Sequence, residues 1–197
     1  MKIASVIIVS ILGLGIIVDS AFIFRQVQDW QIKSVVTRKE TPTVKEEPAF
    51  LPERLIIPAL SIDTNIQHRG KDKKGNMDVP DNFTDVSWYS LGAHPGEPGN
   101  AVLAGHFDAY FGLPAVFYNL RKLKPGDEII LLDAQGRKKT FVASANELVS
   151  VKNPPFARIF GSSTAPHLNL ITCGGTWNKK SRSYEGRTVV FADLKSS

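Results

Sequence analysis

Cys173 is the residue in this sequence best suited to covalent chemistry, and it is the only cysteine. It follows the apolar run 168–172 and precedes Gly174 and Gly175, which predicts a thiol at the end of a strand where the chain turns sharply. A lone cysteine is more often a small buried hydrophobic residue, but such a residue would more naturally lie in the middle of a strand. We therefore take Cys173 as a candidate nucleophile.

A thiol nucleophile needs a proton partner and a group that stabilises the oxyanion of the tetrahedral intermediate. Among the four histidines, His106 ends the apolar run 101–105, which predicts a titratable side chain at the end of a core strand. The preceding Gly105 leaves room for another segment of chain to approach closely. The other histidines lie in turns or polar loops and are expected to be ordinary surface residues: His68, His94 and His167.

Arginine supplies donors to an oxyanion without changing its protonation state. Arg187 opens the predicted strand 188–191, whereas Arg182 lies in the polar loop NKKSRSYEG. Arg187 is therefore the better held of the two, although a surface salt bridge is the ordinary role for either residue.

Composition excludes several classes of protein. One cysteine excludes an intrachain disulfide framework and any CxxC zinc or redox site. The net charge of +5 comes with poor clustering of basic residues, so we expect a solvated basic surface and no nucleic-acid partner. We expect no metal or cofactor, because the available carboxylates do not have the spacing of a calcium loop: Asp108, Glu147 and Asp193.

The N-terminal region predicts a membrane anchor. Residues 3–24 form an almost unbroken apolar run, and about 22 residues at about 1.5 Å each span the roughly 30 Å hydrocarbon core. No small-x-small cleavage site follows, so an uncleaved helix over residues 1–24 is favoured over a signal peptide. The polar, proline-punctuated stretch 25–52 predicts a tether. Residues 53–197 are then the folded domain, with an anchor orientation that charge alone does not decide.

The domain is predicted to be mostly β. Short β-branched runs alternate with turn sequences, and Gln135-Gly136 predicts an antiparallel hairpin. Residues 114–120 are expected to form a short helix. Many short strands without helical crossovers favour a closed barrel or a sandwich over a doubly wound sheet.

These residues resemble a known family. NLITC, followed 14 residues later by Arg187 and preceded by a Gly-His pair that ends an apolar strand, looks like the sortases, the cysteine transpeptidases of bacterial surfaces. Asn169 replaces the first threonine of their TLxTC motif, and the resemblance extends over residues 54–194. WYSLGAHPGEPGNAVLAGHFD and GLPAVFYNLRKLKPGDEI are similar to the smaller classes, and Gly174-Gly175 is most like class F.

The resemblance implies a closed β-barrel of about eight strands with one or two short helices. It implies Cys173 as nucleophile, His106 as proton donor and acceptor, and Arg187 as the residue that stabilises the intermediate. It further implies cleavage of an LPxTG-like sorting signal through a thioester and transfer to an amine of the cell-wall precursor or of a pilin. The domain would then lie outside the cell membrane, with the N terminus inside.

Two other hypotheses stay open. A non-catalytic wall-binding module would bind anionic polymers through the basic loop 179–187. Binding alone does not require a thiol, an imidazole and a guanidinium at three strand ends. A thiol hydrolase would share the same residues and differ only in using water to resolve the thioester.

Overall fold

The computed structural model describes residues 48–196, which form a closed eight-stranded barrel. Its strands are β1 (Pro52–Ile57), β2 (Ile62–Arg69), β3 (Val86–Tyr89), β4 (Gly99–Gly105), β5 (Glu128–Asp133), β6 (Lys138–Ser150), β7 (Pro166–Asn178) and β8 (Ser183–Leu194). One short helix, α1 (Phe156–Phe160), and short 3-10 turns at Pro58–Leu60, Tyr110–Gly112 and Leu120–Lys122 complete the described elements. The prediction of a mostly β, closed barrel is confirmed.

The predicted anchor, residues 1–24, and the tether up to residue 47 lie outside the described residues. Within residues 48–196, the structure contains no helix with the length and apolar character needed to cross a membrane.

The strand order around the barrel is β1-β2-β3-β4-β7-β8-β6-β5, and β5 pairs with β1 to close it. The pairs β2–β3 and β4–β7 are parallel, and the other neighbours are antiparallel. Because β4 and β7 run in the same direction, groups that follow β4 meet groups late in β7 at one end of the barrel.

The core follows the alternation expected of strands with one buried face. In β5, Ile129, Leu131 and Asp133 point inward while their neighbours are half-buried. Ile129 lies opposite the fully buried Phe141 of β6, across the hairpin predicted at Gln135-Gly136. Burying each such side chain stabilises the folded state by about 1.5–3 kcal/mol.

The helix predicted at residues 114–120 is wrong. This segment forms turns, and its only helical residue is Leu120, the first of the 3-10 turn Leu120–Lys122. The reason is that its backbone amides are used by other segments: Phe117 N–H donates to the carbonyl of His106 (2.9 Å), and Val116 N–H donates to that of Phe83 (2.9 Å). Long-range pairing of this kind removes the donors that a helix would need.

The close approach expected at Gly105 is present. A Cβ on Gly105 would lie 2.7 Å from Cδ2 of the buried Phe117, so only glycine lets the segment carrying Phe117 cross the end of β4.

Candidate active site

The parallel pairing of β4 and β7 brings His106 to the level of Cys173. The register pairs Ala104 with Ile171, so Gly105 and His106 continue alongside Thr172 and Cys173. The buried Thr172 fixes this alignment, since its hydroxyl donates to the carbonyl of Gly105 (2.8 Å). Neighbouring strands lie about 4.8 Å apart, so the backbone that carries the imidazole runs next to the strand that carries the thiol.

Arg187 approaches the thiol from the other side. In the antiparallel pair β7–β8, Cys173 and Arg187 are direct register partners. Directly opposed residues of a ladder have side chains on the same face of the sheet. The three predicted residues therefore lie on three neighbouring segments of the barrel: His106 directly after β4, Cys173 on β7 in the middle, and Arg187 on β8.

The predicted strand boundaries at these residues are wrong. Cys173 does not end β7, which continues to Asn178, and Arg187 does not open β8, which begins at Ser183. The two strands run past the site as a hairpin with a bulge between Gly174 and Trp177. Gly174 and Gly175 do not mark a turn. Glycine is needed at the first position because a Cβ on Gly174 would lie 2.7 Å from Oγ1 of Thr188, and at the second because Gly175 has φ +77°.

The Cys173 side chain is half-buried, and its surroundings act on the thiol in opposite directions. Burial raises its pKa most strongly, the positive charge of Arg187 lowers it, and the negative charge of Asp108 raises it. The net pKa lies above the ordinary value of a thiol, so the group is protonated near neutral pH. Attack by sulfur therefore requires a base that accepts its proton.

His106 is held in an orientation suited to that role. Its Nε2 lies 3.2 Å from the carbonyl oxygen of Pro80, and its ring packs on Phe83 with centroids 5.0 Å apart. A carbonyl only accepts, so in the neutral ring Nε2 carries the hydrogen and Nδ1 is the nitrogen that can take a proton.

Arg187 is fixed through one arm of its guanidinium. Nη1 donates to the carbonyls of Gly186 (2.8 Å) and Tyr184 (3.4 Å). Among residues 48–196, Nε and Nη2 find no acceptor, which leaves donors for a developing oxyanion. Arg182, by contrast, is exposed in the β7–β8 turn with φ 51°, away from this register.

The remaining histidines have other partners, and none of them is paired with the thiol by register. His68 Nε2 lies 2.9 Å from the carbonyl of Pro52, and its ring packs on Trp88. His94 packs on the same indole, and its buried Nδ1 has no partner in the described part of the chain. His167 bonds Asp193 (2.7 Å).

The carboxylates considered for metal binding are separate from one another. Glu147 bonds Arg158 (2.7 Å) and Asp193 bonds His167, while Asp108 follows His106 by two residues and bonds Tyr184. No group of three His, Cys, Asp or Glu side chains that could hold a metal occurs in the region 48–196.

Sequence reasoning missed one pair at this site. The Tyr184 hydroxyl donates to Oδ2 of Asp108 at 2.5 Å, and this bond raises the pKa of Tyr184 to about 12. In the sequence analysis, Asp108 was considered only as an available carboxylate, and Tyr184 was not considered. Their positions, close in sequence to His106 and to Arg187, were the available clue.

Comparison with known proteins matches this sequence to one protein family. The sortase domain model matches residues 55–195, which is most of the chain. No curated protein matches the sequence.

Solved structures share the fold at low sequence identity. Sortase C-1 from Actinomyces oris is 20% identical with a TM-score of 0.58, over 75% of this chain and 76% of that one. Sortase A from Corynebacterium diphtheriae, as a lid mutant, is 21% identical with a TM-score of 0.57, over 79% and 75%. The Clostridium perfringens sortase D5 transpeptidase is 20% identical with a TM-score of 0.55, over 90% and 100%.

These relatives are of classes A, C and D, so the likeness to class F stays a prediction. The family model and the barrel agree with the resemblance carried by the cysteine motif. The chain belongs to the sortase family of cysteine transpeptidases.

Proposed function

We propose that this protein cleaves an LPxTG-like sorting signal through a thioester on Cys173 and transfers the released protein to an amine of the cell-wall precursor or of a pilin. The observation that supports this most directly is the register: Cys173 pairs with Arg187 on one side, and His106 follows β4 on the other.

In the acylation step, the sulfur of Cys173 attacks the carbonyl carbon of the signal's threonine while His106 accepts the thiol proton. The negative charge that develops on the carbonyl oxygen is stabilised by the donors of Arg187 that the backbone does not use. When the intermediate collapses, the carbon–nitrogen bond breaks and His106 returns the proton to the leaving amine.

In the second step, an amine attacks the thioester and Cys173 leaves as the thiol. Water in place of the amine would make the protein a hydrolase, and a barrel that only bound wall polymers through loop 179–187 would form no thioester at all. One experiment distinguishes these two alternatives from transpeptidation.

The experiment incubates the wild-type protein with a panel of sorting-signal peptides, with and without an amine acceptor, and measures adducts by mass spectrometry. We expect an acyl adduct on Cys173 that converts to an amide when the amine is present. Formation of free acid alone, at any amine concentration, would favour the hydrolase. Absence of any adduct across the panel, together with polymer binding, would favour the binding module.

We further propose that residues 1–24 anchor the protein with the N terminus inside and the catalytic domain outside the cell membrane. The apolar run supports the anchor, and the family's known site of action supports the orientation. Added protease should cleave the domain in intact cells, whereas protection until lysis would reverse the orientation. A protein starting near Phe50 should be soluble and active on peptides, because the described barrel begins there.

A further inference from the structure

Asp108 is a half-buried carboxylate two residues after His106, and it bonds Tyr184, which precedes the register partner of Cys173, Arg187, by three residues on β8. Its Oδ2 accepts the hydroxyl of Tyr184 at 2.5 Å, which ties the loop after β4 to β8. In the part of the chain that the structure describes, no lysine, arginine or histidine forms an ion pair with Asp108, and Oδ1 receives no hydrogen bond. Among the described residues, the site therefore contains a carboxylate that is not paired with a cation.

This charge opposes the first half of the proposed reaction. The negative charge of Asp108 raises the pKa of the Cys173 thiol, whereas the charge of Arg187 lowers it. A carboxylate there also repels a developing oxyanion. Its position favours a reactant of the opposite sign, and on the proposed function the second substrate arrives as an ammonium group.

Aromatic rings cluster around Tyr184, the tyrosine whose hydroxyl bonds this carboxylate. Tyr184 packs against Phe107 (5.4 Å between centroids) and against Trp177 (5.1 Å), and Phe107 packs against Tyr118 (5.0 Å). Trp177 is 48% exposed, so this cluster is open to solvent on the side of the β7–β8 hairpin. A carboxylate bonded to a member of an aromatic cluster is a combination that suits ammonium groups, which carboxylates attract by charge and rings by cation–π attraction.

We propose that Asp108, oriented by Tyr184, binds the ammonium group of the acceptor amine beside the thioester. This inference rests on the proposed transpeptidation. Tyr184 occupies only Oδ2, which leaves Oδ1 for the incoming cation, and the hydroxyl keeps the carboxylate from rotating away.

The step balances as follows. The bound ammonium loses one proton to solvent, and its nitrogen attacks the thioester carbonyl carbon to form a carbon–nitrogen bond. The carbon–sulfur bond breaks, and the second nitrogen proton passes through His106 to the sulfur of Cys173. Thioester and ammonium thus give amide, thiol and one released proton.

The test is a competition for the thioester formed from an LPxTG-type peptide. Nα-acetyl-lysine amide is the cationic nucleophile, since a lysine amine has a pKa of about 10.4. Hydroxylamine is the nucleophile that is uncharged near neutral pH. The ratio of the two products comes from one common intermediate, so it does not depend on the rate of acylation.

We expect Asp108→Asn to lower the ratio of lysine product to hydroxylamine product about tenfold, which corresponds to about 1.4 kcal/mol. Tyr184→Phe keeps the carboxylate and the ring and should lower the ratio less. Asp193→Asn is the matched control: it removes the same charge at the His167 end of β7–β8, away from Cys173, and should leave the ratio unchanged. In the wild type, added salt should lower the ratio, because screening weakens attraction between charges.

An unchanged ratio in Asp108→Asn, or an equal fall in both products, would overturn the inference. If that variant did not fold, a wild-type ratio independent of salt would overturn it equally. Failure of the wild-type protein to form any thioester would instead refute the proposed function, so the two failures are distinguishable.

Discussion

Replacing Arg187 by lysine tests whether a planar guanidinium, rather than a positive charge, assists acylation. In the structure, Nη1 is occupied by the carbonyls of Gly186 and Tyr184, and the other arm remains for the substrate. A lysine has its donors on one nitrogen, so an ammonium bound to these carbonyls is turned away from the substrate.

The expected loss follows from that geometry. Removing one oxyanion donor costs about 10²–10³ in rate, or about 2.7–4 kcal/mol. Because lysine keeps the charge, we expect Arg187→Lys near the lower end, about a hundredfold, and Arg187→Ala near a thousandfold. Stability should change by only about 1 kcal/mol, since the side chain donates to backbone carbonyls of a strand that is paired on both sides.

Arg182→Lys is the matched control, with the same chemical change five residues away. Arg182 is exposed in the turn with φ 51°, and lysine meets the same backbone conformation there, so its rate should stay within about twofold of the wild type. The assay is single-turnover acylation of the soluble domain, with thermal melts for folding. Equal losses in the two variants, or a larger loss for Arg182→Lys, would refute the assignment.

Further predictions concern the thiol and its base. Cys173→Ala should abolish cleavage and transfer with little change in melting temperature, and turnover near wild type would remove the thiol from the mechanism. His106→Ala should slow acylation by about 10²–10⁴, whereas His167→Ala, whose ring bonds Asp193, should change it little; the reverse order would show that the wrong histidine was chosen. Alkylation of Cys173 by iodoacetamide should keep accelerating above the usual pH range of a thiol, because burial raises its pKa. Asp108→Asn should lower that apparent pKa and Arg187→Ala should raise it further, since one removes a negative and the other a positive charge; a shift in the same direction in both variants would contradict these signs.

The sequence alone determined the local pattern. Alternating apolar residues around Gln135-Gly136 predicted the β5–β6 hairpin, because inward and outward side chains repeat every second residue of a strand. The types and positions of Cys173, His106 and Arg187 were also sufficient to make them candidates, since few side chains can act as nucleophile, base or oxyanion donor.

Tertiary structure decided how these residues meet. The parallel pairing of β4 with β7 joins segments that are far apart in the sequence, and no local sequence pattern encodes such a pairing. The same reason explains the error at residues 114–120, where long-range hydrogen bonds to His106 and Phe83 replaced a locally plausible helix. The bond between Asp108 and Tyr184 joins residues 76 positions apart, so only the closed barrel brings that carboxylate and its donor together.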